Sequence, residues 1–290
     1  KTTMNPDVQA AMPELEKWIG RKRVVVDEMG LTSVQRVAAT MDADPAAFQN
    51  GTPIPRQWFN MFFPDICRQS DLGPDGHPNK GVFLPPIPLP RRMGAGRRVE
   101  IMGNLVVGQE ATKTAEVAAI IPKSGRSGNI CILTMRLTFE TAGKVIAVDE
   151  FDAIYREAVP AGAKTTATQP KEAPTDSEWN EVIHLTETMN FRYGAVSWNA
   201  HRIHYDADYT RTEEGYNHTV QNGGLTMQLV TDCACRHTDK TITGLNARLS
   251  KPIWVGDTIT VHGKTTDEGQ ACWIQDKDGH LCAEINVDFA

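Results

Sequence analysis

The sequence predicts an α+β protein built from two similar halves, each laying a helix against an antiparallel sheet. Three observations lead there. First, two stretches recur about half a chain apart: residues 105–117 (LVVGQEATKTAEV) match 253–265 (IWVGDTITVHGKT), and 142–151 (AGKVIAVDEF) resemble 278–289 (DGHLCAEINVDF). A repeat of that size marks a duplicated domain rather than a solenoid of short units. Second, Leu133, Met135, Leu137 and Phe139 alternate with Thr134, Arg136 and Thr138, the two-residue period of a half-buried strand. Third, residues 161–177 (AGAKTTATQPKEAPTDS) carry almost no large apolar side chain and two prolines, the composition of a linker. A length of 290 residues also suits two domains better than one.

Residues 11–20 are an expected helix, with Leu15, Trp18 and Ile19 on one face and Gly20 as its stop. Residues 23–29 (RVVVDEM) are strand-like. Residues 32–41 make a second helix: Thr32 or Ser33 can cap it, and Val34, Val37, Ala38 and Met41 form its buried stripe. As the central helix of the first half, it would carry no acid or base on its entry turn. Proline and aromatics crowd residues 52–92 (PIPRQWFNMFFPD, then PPIPLPRRM), which suits a long irregular excursion of the functional or mobile kind. Residues 145–155 are the expected partner of the alternating strand, across a turn at Ala142-Gly143. Beyond the linker come strands near 182–185, 245–249, 253–262, 271–275 and 280–289, and one helix after Gly223-Gly224.

With 40% hydrophobic and 23% charged residues, the composition is that of an ordinary soluble globular protein. The net charge of −6 argues against a nucleic-acid partner, which calls for a basic face. No apolar run approaches the roughly 18 residues of a membrane span, and residues 1–18 lack the apolar core of a secretion signal. No membrane partner is expected, and the expected location is the cytoplasm, or the mitochondrial matrix in a eukaryote. Cys67, Cys131, Cys233, Cys235, Cys272 and Cys282 include no CxxC pair and no His/Cys ligand spacing, so they are expected to be reduced apolar fillers, with no metal site.

Chemistry concentrates between Phe191 and Val230, which hold His201, His204 and His218, with His184 just upstream. The segment ends in Gly223-Gly224, before an apolar series (Leu225, Leu229, Val230, Cys233, Ala234) at helical spacing. A helix entry presents unpaired N–H groups and partial positive charge, and glycine there keeps side chains clear of an approaching oxygen. A thioester carbonyl seated on Gly223 and Gly224 would be polarised and a developing enolate stabilised. The plainer alternative is a tight turn before a core helix.

Ser197-Trp198-Asn199-Ala200-His201-Arg202-Ile203-His204 resembles the signature of MaoC-like (R)-specific enoyl-CoA hydratases and dehydratases, Ser/Thr-Gly-Asp-x-Asn-Pro-(Leu/Ile)-His. Laid on this chain, the family's catalytic Asp falls on Asn199, its motif Asn on His201, its Pro on Arg202, its catalytic His on His204 and its helix-entry Gly on Gly223. The departures are similar to the branch of mesaconyl-CoA and itaconyl-CoA hydratases and their mitochondrial acyl-carrier dehydratase relatives. Other segments of that branch are present: Trp18-Ile19-Gly20-Arg21, Ala38-Ala39-Thr40-Met41-Asp42, Leu89-Pro90-Arg91-Arg92-Met93, Gly125-Arg126-Ser127-Gly128 and Glu213-Glu214-Gly215-Tyr216. The resemblance therefore spans nearly the whole chain. In place of the branch's His-Gly-Pro at the helix entry stands Asn222-Gly223-Gly224.

The resemblance implies a double hotdog: an N-terminal hotdog over residues 1–160 without acid/base groups, a linker over 161–177 and a catalytic hotdog over 178–290. It implies addition of water to an enoyl-CoA thioester, or its removal, in a homodimer, with coenzyme A arriving on the substrate and no separate cofactor. His204, with an ordinary pKa of about 6.5, can act as base and then acid. Asn199 cannot trade a proton but can orient a water. His201 is either the missing acid or a buried hydrogen-bonding residue. Arg91, Arg92, Arg97 and Arg98 lie in an expected loop (RRMGAGRR); with Arg202 they are candidates for a substrate carboxylate or the coenzyme A phosphates, or the loop is merely solvated. Branched dicarboxylyl thioesters such as 3-methylfumaryl-CoA or itaconyl-CoA, hydrated to a citramalyl-CoA, would need such a partner. The rival readings are dehydration of (R)-3-hydroxyacyl thioesters on coenzyme A or acyl carrier protein, a thioester hydrolase, and a non-catalytic acyl-CoA-binding subunit.

Overall fold

The computed structural model describes residues 4–125, 128–164 and 169–290. Arg126-Ser127 of the Gly-Arg-Ser-Gly segment and the middle of the expected linker lie outside the described residues. The first half runs α1 (Pro6–Leu15), β1 (Lys22–Asp27), α2 (Leu31–Thr40), a long excursion, then β2 (Arg91–Ile101), β3 (Ala111–Gly125), β4 (Gly128–Thr141) and β5 (Lys144–Arg156). The second half runs β6 (Trp179–His184), α3 (Glu187–Val196), the short α4 (Ala207–Thr212), α5 (Gly223–Arg236), then β7 (Ile242–Leu249), β8 (Thr258–Thr265), β9 (Gly269–Gln275) and β10 (Leu281–Phe289).

All these strands join one antiparallel sheet in the order β1-β3-β4-β5-β2-β7-β10-β9-β8-β6. From either edge the order is the same once β6 to β10 replace β1 to β5, so the sequence repeat is a repeat of topology. The centre is the β2–β7 pair, from Gly96↔Arg248 to Glu100↔Gly244. Gly244 has to be glycine there, because a Cβ would meet the Val99 carbonyl oxygen at 2.6 Å. The recurring Val-Gly stretches make equivalent turns: Val106 bridges Pro53, Trp254 bridges Val220, and Gly108 (φ 80) and Gly256 (φ 93) swing the chain into β3 and β8. The strand expected from residue 253 therefore starts only at Thr258.

Other expectations shift for local reasons. The first helix begins earlier than expected, because the Asn5 carboxamide accepts the N–H groups of Asp7 (2.9 Å) and Val8 (3.2 Å) and Pro6 fits the first helical position. Gly30, rather than Thr32 or Ser33, caps α2, with no side-chain bond. The basic, glycine-rich RRMGAGRR is not a loop but β2, paired to β5 on one side and β7 on the other; a bulge between Gly94 and Arg97 absorbs the glycines.

Nor is α2 the central helix of its half. Following β1 directly, it is the counterpart of α3. The counterpart of α5 is a 3-10 stretch, Arg56–Met61, entered from the Pro53 bridge as α5 is entered from the Val220 bridge. This stretch packs against α5, which buries Gln228 and Thr231 as well as Leu225, Val230, Cys233 and Ala234. Asp232 accepts bonds from Gln57 Nε2 (2.9 Å) and Trp58 Nε1 (3.3 Å), and burial pushes its carboxyl pKa up. The main core mixes both halves, with Val37, Phe59 and Phe139 packing alongside Leu225, Val230 and Ile285. All six cysteines are free thiols, four of them buried, and no helix among the described residues is long and apolar enough to cross a membrane.

Asp232→Ala removes the acceptor shared by Gln57, Trp58 and Gln228 where the halves meet, so unfolding free energy should fall by roughly 1–3 kcal/mol. A lower urea midpoint at unchanged slope is the expected reading. An unmoved midpoint would mean that this contact adds nothing to the docking of the halves.

Candidate active site

The signature residues are placed by a chain of side-chain-to-backbone bonds. Helix α3 starts on Thr186, whose hydroxyl accepts the Met189 N–H at 3.2 Å, and after it Trp198 (φ 56) reverses the chain. The Asn199 side-chain oxygen then accepts the His201 N–H at 3.0 Å, an Asx turn leading into one 3-10 turn, Arg202–His204. One lone pair of that oxygen is therefore committed to the turn, and the carboxamide has its NH2 and the other lone pair to offer a ligand. His204 Nδ1 lies 2.7 Å from the Val220 carbonyl oxygen. A carbonyl can only accept, so the proton sits on Nδ1 and Nε2 keeps its lone pair.

A residue the sequence reading missed ties this turn to the helix entry. Asn190, 5% exposed, donates through Nδ2 to the His204 carbonyl (2.9 Å) and accepts the Asn222 N–H through Oδ1 (3.0 Å). Asn222 caps α5 by accepting the Gly224 N–H at 2.9 Å. The two glycines consequently differ. Gly224 spends its N–H on the cap and lacks a side chain because a Cβ would lie 2.6 Å from the Tyr193 hydroxyl. The Gly223 N–H has no partner among the described residues and is the donor left for a ligand oxygen. Asn199, His201, His204, Gly223 and Gly224 all line one cavity of about 430 Å³. The imidazole and the glycine turn thus face the same space.

The opposite wall comes from the first half. Of the five candidate arginines, Arg92 and Arg97 line this cavity. Arg97 Nε lies 3.3 Å from Asp149, whose fully buried carboxyl has its pKa raised by burial. The other three are engaged elsewhere. Arg91 is buried against Glu214 (2.9 Å to the carboxylate, 3.2 Å to the backbone oxygen), and the half-exposed Arg98 reaches Asp152 at 3.0 and 3.2 Å. Arg202 pairs with Asp206 at 2.7 Å and lines a neighbouring hollow of about 920 Å³, which also contains Arg92, Lys80 and Tyr155. His184 and His218 bond to Thr258 and Thr219 and do not line the cavity.

A third histidine, which no motif announced, is present. His77 lies in a finger of the excursion closed by a Leu72↔Pro78 bridge and a Gly73 N–H to His77 carbonyl bond of 2.7 Å. Its ring centroid is 4.3 Å from that of His201, and His201 in turn lies edge-on to His204 at 5.5 Å. The sequence marks the excursion as functional or mobile; a lone histidine among Gly, Pro and Asp gives no further signal. Asp75, His77 and His201 each offer one ligand-type atom within 4.8 Å of the others, as do Asp276, Asp278 and His280. In the second group, Asp276 is already engaged by the N–H groups of Asp278 and His280 and by Lys251.

The sequence profile described as hydroxyacyl-thioester dehydratase type 2 matches residues 57–255. This chain belongs to that family. It is 36% identical over 239 residues, 82% of its own length and 84% of the relative's, to the mesaconyl-C(4)-CoA hydratase of Chloroflexus aurantiacus. A MaoC-like dehydratase structure from Phytophthora capsici matches with a TM-score of 0.70 at 12% identity, covering 95% of this chain and 97% of that one. A Mycobacterium tuberculosis protein described as a double hotdog matches with a TM-score of 0.54 at 12% identity, again over 95% and 97%. At such identities these structures show the fold alone, and it is the double hotdog expected from the signature. With its family shown, the chain is a hydro-lyase of the MaoC-like type.

The hydro-lyase keeps its three clustered histidines neutral. Burial, helped by His204 and Arg92, pushes His201 down to about 3, and burial also lowers His77 and His204. Below pH ~6.5 the unfolded chain then binds more protons than the native one, so the stability these groups contribute is complete above that pH and is lost as pH falls toward the native values. Between about pH 6.5 and 5, unfolding free energy should fall by up to ~1.4 kcal/mol per pH unit for each histidine. Urea titrations across this range would measure the slope, which His201→Asn should reduce. A flat profile would contradict a neutral cluster.

Proposed function

We propose that this hydro-lyase adds water across the double bond of a short enoyl-CoA thioester bearing a second, free carboxylate, giving a citramalyl-CoA. The observation that carries the reading is the shared cavity, with His204, the Gly223 N–H, Arg92 and Arg97 around one space. The likeness to a mesaconyl-C(4)-CoA hydratase over most of both chains supports the same substrate class. Neutral His204 takes a proton from water through Nε2 while the water oxygen bonds to C3 of the acyl group. The C2=C3 electron pair moves toward the thioester carbonyl, whose oxygen the Gly223 N–H holds as it becomes an enolate. The His204 imidazolium then returns the proton to C2. This route favours 3-methylfumaryl-CoA over itaconyl-CoA, because only the former has its double bond conjugated to the thioester. Arginine suits the remaining carboxylate through its planar fork. Coenzyme A is part of the substrate and no separate cofactor enters the reading; the assembly we propose is a homodimer, in the cytoplasm or the mitochondrial matrix.

The family description favours a second reading, dehydration of an (R)-3-hydroxyacyl thioester on coenzyme A or acyl carrier protein. Crotonyl-CoA, 3-methylfumaryl-CoA and itaconyl-CoA, followed by loss of enoyl-thioester absorbance, separate the two. Preference for 3-methylfumaryl-CoA is expected; preference for crotonyl-CoA would remove the carboxylate requirement while sparing hydration. His204→Ala should cost about 100-fold or more in turnover, and near-wild-type rates would refute its role. Arg92→Met and Arg97→Met should raise KM for 3-methylfumaryl-CoA by roughly tenfold and leave crotonyl-CoA little changed.

A further inference from the structure

Hydration needs, besides its base, a second acceptor that holds the water. A water attacking C3 points a lone pair at carbon, so both of its O–H bonds have to be aimed by acceptors. His204 Nε2 is one acceptor. In the family signature the second acceptor position falls on Asn199, whose side-chain oxygen already accepts the His201 N–H at 3.0 Å and whose NH2 only donates, so this amide keeps one lone pair where a carboxylate would offer several. His201 does not replace it: the residue is 5% exposed, and its Nε2 is sealed from solvent with no partner among the described residues.

We propose that His77, supplied by the first half, is the second acceptor that grips the reacting water opposite His204. The half-buried ring packs on His201 at 4.3 Å and lines the same cavity as His204 and Gly223. It also lines the adjoining hollow, so with Arg92 it forms the partition between the two spaces. Burial and the nearby Arg92 cation keep the imidazole neutral, which preserves an acceptor lone pair.

The finger that carries His77 is latched to the signature itself. The Arg202 N–H donates to the Asp75 carbonyl at 2.8 Å, and its guanidinium donates to the Pro74 carbonyl at 3.0 Å. The Asp75 carboxylate accepts the His77 N–H at 3.0 Å. Gly76 adopts φ +89, and a Cβ there would sit 2.0 Å from the Ala200 carbonyl oxygen, so only glycine lets the fingertip seat this closely. Arg202 is thereby a positioning residue for His77 rather than a substrate ligand. In the reaction, one water proton passes to His204 Nε2 and the oxygen bonds to C3. The second hydrogen stays on that oxygen, bonded to His77, and becomes the product hydroxyl; no proton resides on His77.

The proposal rests on the hydration reading above, and its test separates the two. Wild type, His77→Ala, His77→Gln and Gly76→Ala are compared for kcat and KM on the enoyl-CoA best used by the wild type, with thermal melts and metal content measured alongside. His77→Ala should lose about 100-fold in kcat with KM within about threefold, and His77→Gln, which retains an acceptor oxygen, should recover about tenfold of that loss. Gly76→Ala should fall in kcat in the same sense. A folded His77→Ala within about threefold of wild type overturns this role but not hydration, provided His204→Ala is inactive. A folded His77→Gln no better than His77→Ala overturns the acceptor role. A stoichiometric divalent metal whose removal by EDTA abolishes activity also overturns it, reassigning Asp75, His77 and His201 as ligands. A wild type inert toward every enoyl-CoA overturns both readings.

Discussion

One buried carboxamide holds the chemistry together. Asn190 bonds the backbone of His204 with one end and the backbone of Asn222 with the other, so the histidine turn and the entry of α5 cannot move independently. With Asn190 buried, each of these bonds is costly to break, because an unpaired buried carboxamide loses its solvation without replacement. A base must meet a bound acyl group to within a fraction of an ångström. A rigid tie between the two elements provides that precision.

The duplicated fold divides labour along the β2–β7 junction. The second half keeps the long helix, whose entry offers backbone donors. The first half keeps a 3-10 stretch in its place, which covers α5 and satisfies Asp232 through Gln57 and Trp58. Released from a central helix, the first half spends its chain on the excursion, and the excursion reaches across to the signature. Arg92 and Arg97 arrive by the same route, on the strand next to the junction.

The histidine cluster shows what such a placement costs. Three imidazoles are held where ionisation is disfavoured, which sacrifices stability in acid and secures lone pairs at neutrality. Arg92 deepens the effect, since a cation facing the cluster and a protonated imidazole repel each other. That same cation suits a substrate carboxylate.

The two-half α+β layout was legible in the chain because it is written in repeats and two-residue alternation, signals that survive without knowledge of distant contacts; that it is a double hotdog came from the resemblance of the signature. The shared placement of His204 and Gly223 was legible too, since the signature and the glycine turn lie close along the chain and a short path constrains both. RRMGAGRR was misread as a loop because its strand character comes from neighbours on both sides, β5 and β7, and not from its own pattern. The same holds for the covering of Asp232, which comes from a segment far away in sequence. Sorting the arginines needed coordinates, because charge and spacing do not say which guanidinium already has a carboxylate. His77 is the clearest case: its meaning comes from a loop-to-loop contact across more than a hundred residues of chain, set by a glycine and a carbonyl that only the folded molecule brings together.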